Sequence, residues 1–600
     1  MINIPIQSSP SFDHTSSKVG SFFSKIRSFL TAVLAGLKSS NKIPGKNFIG
    51  IFTVLSRKEI ISFAVLITLV LASSTYLIFA STTQDQSGVP DYGGEYSEGL
   101  VGQPKFLNPV LAPASTVDTE LTKIIYAQLL KFDKDLSLKP ELAEDLPTTS
   151  ADQKTYTLKL KPNLKWQDGR PILADDVIYT ITTIQDSEYD SPLRANWSRV
   201  KVEKVDDLTI RFVLREVSAS FVTNFTLGVL PKHIWENYSP NTFRLTDSNL
   251  KPIGSGPFVL REIKKTPDGV IRSLTLQANE LYLGGRPYLD RIVFKFYDDQ
   301  EGLLKAYQTK DIQGLGYLPF DKKTFLEESD KYNRTTISLP QYQAVFFNLS
   351  RNQTLAEKAV RQALWLSTDR KEIINEVYMG LSKEAFGPIP VGNLGYNPEI
   401  EKVTHFNLDE ASDILNRGGW IMDPNTQIRM KKQKPLEFNL ATNEFILNVK
   451  TAQNLQTQWS KIGAVVHLNI VSAPTLQQEY IRPRNYDALL FAENTGADPD
   501  PYPFWHSSQS RDPGLNLSGF SNSEVDRLLL TARQTNDVNV RSQNYKQFQT
   551  IITREIPAIF LTNTVYVYNT PKKLKGIELS TIIHPAERFL DIKNWYINTK

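Results

Sequence analysis

Residue types that catalyse reactions or bind metal ions occur in this 600-residue chain, but they do not form catalytic patterns. The run Gly254-Ser255-Gly256 lacks the spacing of a nucleophile elbow. No glycine-rich phosphate loop follows a predicted strand, which argues against a dehydrogenase or an ATPase. The histidines are scattered, without an HExxH motif or a pair at ligand spacing. They are His14, His233, His405, His467, His506 and His584.

Two closely spaced pairs of carboxylates are the remaining candidates for chemistry. Asp298-Asp299 and Asp498-Pro499-Asp500 have the spacing of paired acid–base carboxylates or of part of a calcium loop. Neither follows the EF-hand pattern, and a calcium loop needs more oxygen ligands at defined intervals. Solvated turns are the favoured interpretation. We therefore predict a protein that is not an enzyme and has no metal site and no cofactor.

The composition narrows the class of protein further. The chain has no cysteine, which excludes a disulfide framework, a thiolate metal site, a cysteine nucleophile and a lipid-anchoring cysteine. The net charge of +4 is small for this length, so we expect no nucleic-acid partner. Six hundred residues are too many for one hydrophobic core, which predicts two or more lobes. The 31 Phe, 24 Tyr and 8 Trp supply large buried surfaces or ring-lined clefts.

One uncharged stretch of 21 residues, from Ile60 to Ala80, has the length of a membrane span. As a helix it crosses a hydrocarbon core of roughly 30 Å. It is too long, and too far from the N-terminus, for a cleaved signal peptide. A helix buried in a soluble core is the less favoured alternative, because such helices rarely stay uncharged on every side. We predict a retained transmembrane helix at residues 59–81.

The charges on either side of this stretch predict its orientation. Only Asp13 and Glu59 oppose the basic residues before it, whereas the first charged residues after it are acidic. The positive-inside rule therefore predicts a cytoplasmic N-terminus, a cell-membrane location and an extracytoplasmic body. The basic residues are Lys18, Lys25, Arg27, Lys38, Lys42, Lys46, Arg57 and Lys58.

The predicted cytoplasmic tail covers residues 1–58, and a linker follows the span at residues 82–94. Apolar residues recur at helical spacing over residues 19–37, next to basic side chains. This pattern fits a basic amphipathic helix on the membrane surface. A helix that packs on a partner fits equally well, so both interpretations stay open.

Beyond the linker, strand and helix patterns alternate, which predicts an α/β (α+β) body. Alternating apolar residues predict strands at residues 156–160, 209–214, 465–470 and 486–491. Apolar residues at helical spacing predict helices at residues 355–366, 370–377, 409–416, 449–462 and 523–533. Trp166 is expected in the core, and Arg361 and Arg370 are expected in structural roles.

Six segments, in the same order, resemble the motifs of one protein family. The chain is similar to the family 5 extracellular solute-binding proteins, the oligopeptide- and dipeptide-binding class that serves ABC importers. The resemblance covers about residues 98–596. Its segments are LNP (107–109) with AQLLKFDKDLSLKPELAED (127–145), TYTLKLKPNLKWQDGRPILADDVIYTI (155–181), PIGSGPFVL (252–260), FFNLSRNQTLAEKAVRQALWLSTDRKEIINEVYMGLSKEAFGPIP (346–390), FNLDEASDILNRGGW (406–420) and YDALLFAENTGADPDPYPFWHSS (486–508).

This resemblance implies a two-lobed, periplasmic-binding-protein-like clamshell of the large peptide-binding type, here preceded by the transmembrane helix. Lobe I would comprise residues 95–338, with an inserted subdomain at roughly 135–250, and the C-terminal return at residues 566–600. Lobe II would comprise residues 339–565. The chain would cross between the lobes near residues 341–348 and 558–566. Hinged closure of such lobes over a ligand gives the open and closed states different affinities.

The resemblance also implies a ligand pocket between the lobes, lined by aromatic rings and a few polar groups. The candidates are Tyr342, Phe346 and Asn348 at the first crossing, and Glu493, Asn494, Asp498, Asp500, Tyr502 and Trp505 in lobe II. Each has a structural role as its alternative.

One departure from the family pattern concerns the ligand. Peptide-binding relatives hold the ligand's ammonium group with an aspartate that precedes the Asp-Pro step. Here Asn494-Thr495-Gly496-Ala497 occupies that stretch, so the ligand stays open between a peptide, a sugar and another solute. Glu493 is the candidate substitute, but a displaced carboxylate is not equivalent to that aspartate.

The resulting hypothesis is a monomeric, membrane-tethered binding protein that captures a peptide or another small solute and delivers it to an ABC permease. A surface-anchored hydrolase of glycans or peptides is the first alternative. A solute-sensing receptor without a transporter is the second.

Overall fold

The computed structural model describes residues 89–316, 332–403 and 405–599, together with Ser56, Ile61, Thr68, Ala72 and Ser73. It divides the chain into two units, Met1–Gly88 and Val89–Lys600. The predicted amphipathic helix at 19–37 and linker residues 82–88 lie outside the described residues, as does nearly all of the predicted tail and of the predicted span. Among the helices that the structure describes, none is long and apolar enough to cross a membrane.

The described part of the second unit contains 22 strands, most of them short. In chain order they are β1 (Pro90–Asp91), β2 (Glu95–Val101), β3 (Leu130–Phe132), β4 (Leu138–Pro140), β5 (Thr148–Thr149), β6 (Thr155–Lys159), β7 (Val200–Lys204), β8 (Thr209–Leu214), β9 (Phe258–Lys265), β10 (Ile271–Ala278), β11 (Arg291–Tyr297), β12 (Gly314–Leu315), β13 (Tyr332–Phe347), β14 (Lys383–Glu384), β15 (Ile421–Met422), β16 (Arg429–Lys431), β17 (Lys434–Pro435), β18 (Glu437–Asn443), β19 (Val465–Val471), β20 (Ala488–Asn494), β21 (Ala558–Pro571) and β22 (Asn598–Thr599).

Nine of the described helices have nine residues or more. They are α1 (Thr116–Ile125), α2 (Ala174–Gln185), α3 (Gln300–Gln308), α4 (Lys358–Leu366), α5 (Arg370–Tyr378), α6 (Leu408–Arg417), α7 (Ile446–Ser460), α8 (Ser523–Arg533) and α9 (Val538–Glu555). At six of the nine, a polar side chain at the N-terminus accepts hydrogen bonds from first-turn N–H groups, as Asp369 does for α5, Asn407 for α6 and Asn522 for α8. These caps satisfy donors that a helix cannot satisfy itself.

The strands and helices predicted from the sequence are confirmed, with small shifts of their ends. The predicted helix at 355–366 is divided into Gln353–Ala356 and α4, with Glu357 between them in an extended conformation. The predicted strand at 486–491 begins at Ala488 and ends at Asn494. Trp166 is fully buried. Arg361 and Arg370 donate hydrogen bonds to backbone carbonyls, so their structural roles are also confirmed.

One eleven-stranded sheet runs through the unit and holds both lobes together. Its order is β19-β18-β20-β13-β21-β12-β2-β11-β10-β9, and β14 pairs with β21. The two longest strands, β13 and β21, are antiparallel neighbours at its centre. Their pairing is irregular between Ser338 and Tyr342, around Pro340, whose missing N–H interrupts a ladder. This irregularity falls close to the predicted crossing between the lobes.

The buried apolar side chains form separate cores on the two sides of this crossing. One core contains residues from Tyr96 to Leu339 and from Tyr566 to Trp595. Two others contain only residues between Tyr342 and Leu561. A small fourth core joins Leu303–Leu315 to Val565 and Val567. We keep the names lobe I and lobe II for the ranges given above; their bounds stay a prediction.

The segment PIGSGPFVL contains two glycines, Gly254 and Gly256, whose backbone lies against the end of α1. Neither glycine has a positive φ. Instead, the N–H of Gly256 donates to the carbonyl oxygen of Ile125 at the end of α1, at 2.8 Å. A Cβ on Gly254 would overlap that same oxygen. Glycine is needed here because two stretches of backbone approach each other closely.

Gly254→Ala is therefore expected to lower the free energy of unfolding by about 1–3 kcal/mol, since the backbone of α1 has to move away. Urea unfolding followed by tryptophan fluorescence measures the change. Gly302→Ala is the control, because a Cβ in α3 meets no atom closer than 3.4 Å. Equal stability of Gly254→Ala and the wild type would contradict the close approach.

Candidate functional site

A cavity of about 690 Å³, called cavity A, lies between the lobes. Loops of lobe I and Tyr156 form one wall, and lobe II supplies Gly392–Leu394, Ala497, Asp498 and Arg541. Most of the lining surface is apolar. The lobes also meet directly beside it, because the N–H of Asn536 donates to Gln153 Oε1 at 2.8 Å. A concave, largely apolar space with a few polar groups is the general form of a small-ligand site.

Asp498 and Arg541 of lobe II form a buried ion pair in the lining of cavity A. Arg541 Nη1 lies 2.9 Å from Asp498 Oδ2, and Nη2 contacts Oδ1. The side chains of Asp498 and Arg541 are only 16% and 6% exposed. A bidentate pair of this kind satisfies both carboxylate oxygens. Asp498 is therefore not a free negative charge in the cavity.

A second interlobe cavity of about 690 Å³, called cavity B, adjoins cavity A. Thr223 lines both cavities. Lobe I contributes residues between Ala195 and Asn224, and lobe II contributes Tyr502, Leu530, Arg533 and Gln534. The short 3-10 helix Ala219–Phe225 separates the two spaces and contacts α8 of lobe II.

Comparison with known proteins identifies the fold and the family. Residues 137–514 match the family model of bacterial extracellular solute-binding proteins, family 5 Middle. That match spans more than half of the chain. The chain belongs to the family 5 extracellular solute-binding proteins. Members of this family bind solutes and are not enzymes, so the prediction of a non-enzymatic binding protein is confirmed.

Relatives within the family match the chain over nearly its whole described length. The oligopeptide-binding protein AppA of Bacillus subtilis (strain 168) is 29% identical over 530 residues, which cover 86% of this chain and 94% of AppA. The dipeptide-binding protein of Escherichia coli (strain K12) is 26% identical over 505 residues, which cover 79% of this chain and 90% of the relative.

Solved structures show the same clamshell. The structure of Bacillus subtilis AppA in complex with a nonapeptide has a TM-score of 0.64 at 28% identity and covers 85% of this chain and 100% of AppA. The structure of CtaP from Listeria monocytogenes, an ABC transporter substrate-binding protein, has a TM-score of 0.71 at 26% identity. It covers 84% of this chain and 99% of CtaP. The predicted family 5 clamshell is therefore confirmed.

Four of the nine predicted site residues are packed inside lobe II of this family 5 protein. Tyr342, Phe346 and Trp505 belong to one of its cores, where the ring of Phe346 lies 6.1 Å from that of Trp505. Asn348 is also buried, and its Nδ2 donates to the carbonyl oxygen of Arg484 at 2.9 Å. A ligand reaches these side chains only if the core opens, so their role in binding stays a prediction.

Glu493 lies directly opposite Tyr342 across β13 and β20. The Tyr342 hydroxyl donates to Glu493 Oε2, while Oε1 has no partner among the described residues. Burial raises the pKa of Glu493 to about 8, and the hydrogen bond from Tyr342 offsets only part of that rise. At neutral pH this carboxyl group is mostly protonated. It is therefore a weak counter-ion for a ligand's ammonium group.

Of the other predicted residues, Asp498 lines cavity A and Tyr502 lines cavity B, whereas Asn494 and Asp500 line neither. Asn494 is exposed, and its Nδ2 donates to the carbonyl oxygen of Ile583 in lobe I at 3.2 Å. Asp500 Oδ2 lies 3.1 Å from Arg533 Nε. Burial raises the pKa of Asp500, and the charge of Arg533 partly opposes that rise. The ring of Tyr502 lies under the Arg533 guanidinium, 4.6 Å from its centre, and lines cavity B.

Sequence reasoning missed the arginines that accompany these acids. Arg541 shares the buried face of α9 with Tyr545, Phe548 and Ile552. Charged residues are seldom fully buried unless they are paired, so an arginine at this spacing was a signal for a buried partner. In the region that the structure describes, no group of three or more His, Asp or Glu side chains has the arrangement of a metal site.

Proposed function

We propose that this protein is the substrate-binding component of an ABC importer and that it closes its lobes over a peptide or a similar small solute. Cavity A carries this proposal, because side chains of both lobes line it. The relatives support it by their names, which include oligopeptide-, dipeptide-, heme- and nickel-binding proteins. The work of such a protein is selective closure, with no covalent step.

The charges around cavity A restrict how a peptide would bind. Asp498 is held by Arg541, and the carboxyl group of Glu493 is mostly protonated at neutral pH. Neither offers the free carboxylate that would hold an ammonium group. We propose that Asp498 and Arg541 act together as a polar wall, and that Asn494 and Tyr502 contribute from the rim. The remaining predicted site residues then support this wall from behind.

Binding is expected to raise the melting temperature of the full-length protein in a mild detergent. At a ligand concentration of one hundred times Kd, the stabilisation is about 2.7 kcal/mol. Differential scanning fluorimetry measures the melting temperature in the presence of defined pools of peptides, sugars and metal chelates. If every pool leaves the melting temperature unchanged, the binding proposal fails.

A variant that fills cavity A shows where such a ligand binds. Ala497→Trp is expected to abolish the shift, because the indole occupies the space that Ala497 lines. Ala473→Trp, at an exposed site outside both cavities, is the matched control and is expected to keep the shift. An unchanged shift in Ala497→Trp would place the ligand elsewhere.

We propose further that residues 59–81 tether the binding protein to the membrane, in place of the absent lipid-anchoring cysteine. The tether would raise the effective concentration of the receptor at its permease, within the reach of the linker at 82–94. The support is the uncharged stretch and the charges that flank it.

The absence of cysteine makes a direct test of this topology possible. A membrane-impermeant maleimide is expected to label Ser87→Cys on intact cells, and to label Ser40→Cys only after lysis. Labelling of both variants on intact cells would contradict the orientation. Loss of residues 1–80 from the mature protein, seen by mass spectrometry, would contradict the tether and leave the binding proposal intact.

A further inference from the structure

Cavity B is more basic than cavity A. Three arginines line it: Arg199 and Arg215 from lobe I, and Arg533 from lobe II. Glu216 is the only carboxylate of its lining. Even when Asp500, the partner of Arg533, is counted as well, the positive charges exceed the negative ones.

The two arginines of lobe I have no ionic partner among the described residues. Arg199 and Arg215 are both exposed, and no carboxylate lies within ion-pair distance of either. Arg211, only four residues before Arg215, is by contrast 3.8 Å from Glu203. Unpaired guanidinium groups keep all their donors available for a planar anion, which they bind in bidentate fashion.

Polar groups of lobe I complete the surface around these arginines. Asn196, Ser218, Ser220 and Asn224 line the same cavity and carry side-chain donors. On the side of lobe II, the ring of Tyr502 fixes the plane of Arg533, and Asp500 holds its Nε. The terminal nitrogens of Arg533 make no hydrogen bond to another described residue. The site therefore combines one cation that two neighbours hold in place, Arg533, with two exposed cations that have no ionic partner among the described residues.

Cavity A differs from cavity B in the sign of its charge. Its charged lining consists of the Asp498–Arg541 pair and Asp135, an exposed carboxylate of lobe I. A ligand that extends past Thr223 from one cavity into the other would have its negative end attracted to cavity B and its positive end to cavity A.

We propose that cavity B binds the anionic end of the transported solute, through Arg199, Arg215 and Arg533. This proposal rests on the proposed function of the cleft and names the class of its ligand: a solute with a terminal carboxylate or phosphate, both of which arginine recognises in the same way. The anion also assists closure. Without the anion, two cations of lobe I face and repel a cation of lobe II across the cleft. A bound anion bridges the three arginines.

The test compares four probes on the full-length protein by thermal shift and by isothermal titration. Two of them are a random tetrapeptide pool with free carboxylates and the same pool with C-terminal amides. The third is trialanine in the presence of inorganic phosphate as a competitor, and the fourth is inorganic phosphate alone. The proposal predicts at least a tenfold higher apparent Kd for the amidated pool than for the free acids. It also predicts saturable stabilisation by phosphate.

The variants Arg199→Gln and Arg215→Gln, alone and combined, assign the effect to cavity B. Both positions are exposed, so the unliganded melting temperature should not change. The combined variant is expected to lose the preference for free acids over amides and the stabilisation by phosphate. Arg211→Gln, which removes the same charge from β8 outside the cavity, should keep both.

Each outcome decides a separate question. Equal binding of acids and amides, together with no saturable effect of phosphate, would overturn the anion site and leave the binding function standing. A second outcome is that neither peptide pool binds, while phosphate stabilises the wild type and not the combined variant. That result would refute peptide binding and retain the anion site for a phosphate-bearing solute. Phosphate stabilisation that persists in the combined variant would place the anion elsewhere and overturn the proposal.

Discussion

Replacing Arg588 with methionine is expected to lower the free energy of unfolding by about 3–5 kcal/mol, the usual cost of leaving buried carboxylates without their cation. Arg588 is completely buried in lobe I. Its Nη2 lies 2.6 Å from Glu98 Oε1 and 2.7 Å from Glu120 Oε2. The variant leaves both glutamates inside the core with no arginine to pair with.

The neighbours of Arg588 explain why the effect should be large. The hydroxyl groups of Tyr96 and Tyr568 donate to Glu98 Oε2 at 2.8 and 2.6 Å. The network thereby joins β2, α1 and β21 to the C-terminal 3-10 helix Pro585–Phe589. Such a buried network stabilises the fold only while all its members are satisfied. Removing the arginine is therefore expected to loosen the attachment of the C-terminal return to lobe I.

Arg286→Met is the matched control for this prediction. Arg286 also contacts two carboxylates, Glu280 and Asp290, but those groups lie at the surface. Exposed pairs of this kind contribute about 0–1 kcal/mol. Urea unfolding, followed by the fluorescence of Trp595 and the other tryptophans, compares the two variants. Similar losses in both would show that the buried network is no more important than a surface ion pair.

Replacing Glu493 with glutamine is expected to remove a large pH dependence of stability. Burial raises the pKa of Glu493 from its ordinary 4.5 to about 8, so the folded state favours the protonated form. That stability is fully present below pH 4.5, is lost as the pH rises towards 8, and stays lost above it. At about 1.36 kcal/mol per pKa unit, the loss is on the order of 5 kcal/mol.

The variant should match the wild type at pH 4, because glutamine resembles a protonated glutamate, and should be more stable at pH 9. Unfolding midpoints of the two proteins, measured between pH 4 and pH 9, give the contribution of Glu493 directly. All other groups titrate in both proteins, so their effects cancel in the difference. Glu444→Gln, at an exposed position after β18, is the control and should follow the wild type at every pH. Parallel curves for the wild type and Glu493→Gln would show that Glu493 is ionised in the folded protein.

Local patterns were sufficient for most of the secondary structure. The strands β6, β8 and β19 and the helices α5, α6 and α8 were predicted to within about two residues, because each has a regular apolar period and a polar or turn residue at its ends. The division of the predicted helix at 355–366 was missed. Glu357, at the break, is an ordinary helix former, and only its contacts with Trp420 and Lys431 show why it lies outside both helices.

The sequence by itself determined the family, the class of fold and the kind of function. These follow from the order of motifs along the chain and from the absence of cysteine and catalytic spacing. The uncharged stretch at 60–80 is also recognised from its composition alone, and its role as a tether stays a proposal.

Only the tertiary structure decided which charged groups are available to a ligand. Asp498, Glu493 and Asp500 are similar carboxylates in the sequence, but one is held by Arg541, one is buried against Tyr342 and one is paired with Arg533. Their partners lie between 33 and 151 residues away along the chain. The charge that a side chain presents depends on its burial and its partners in space, and spacing in the sequence specifies neither.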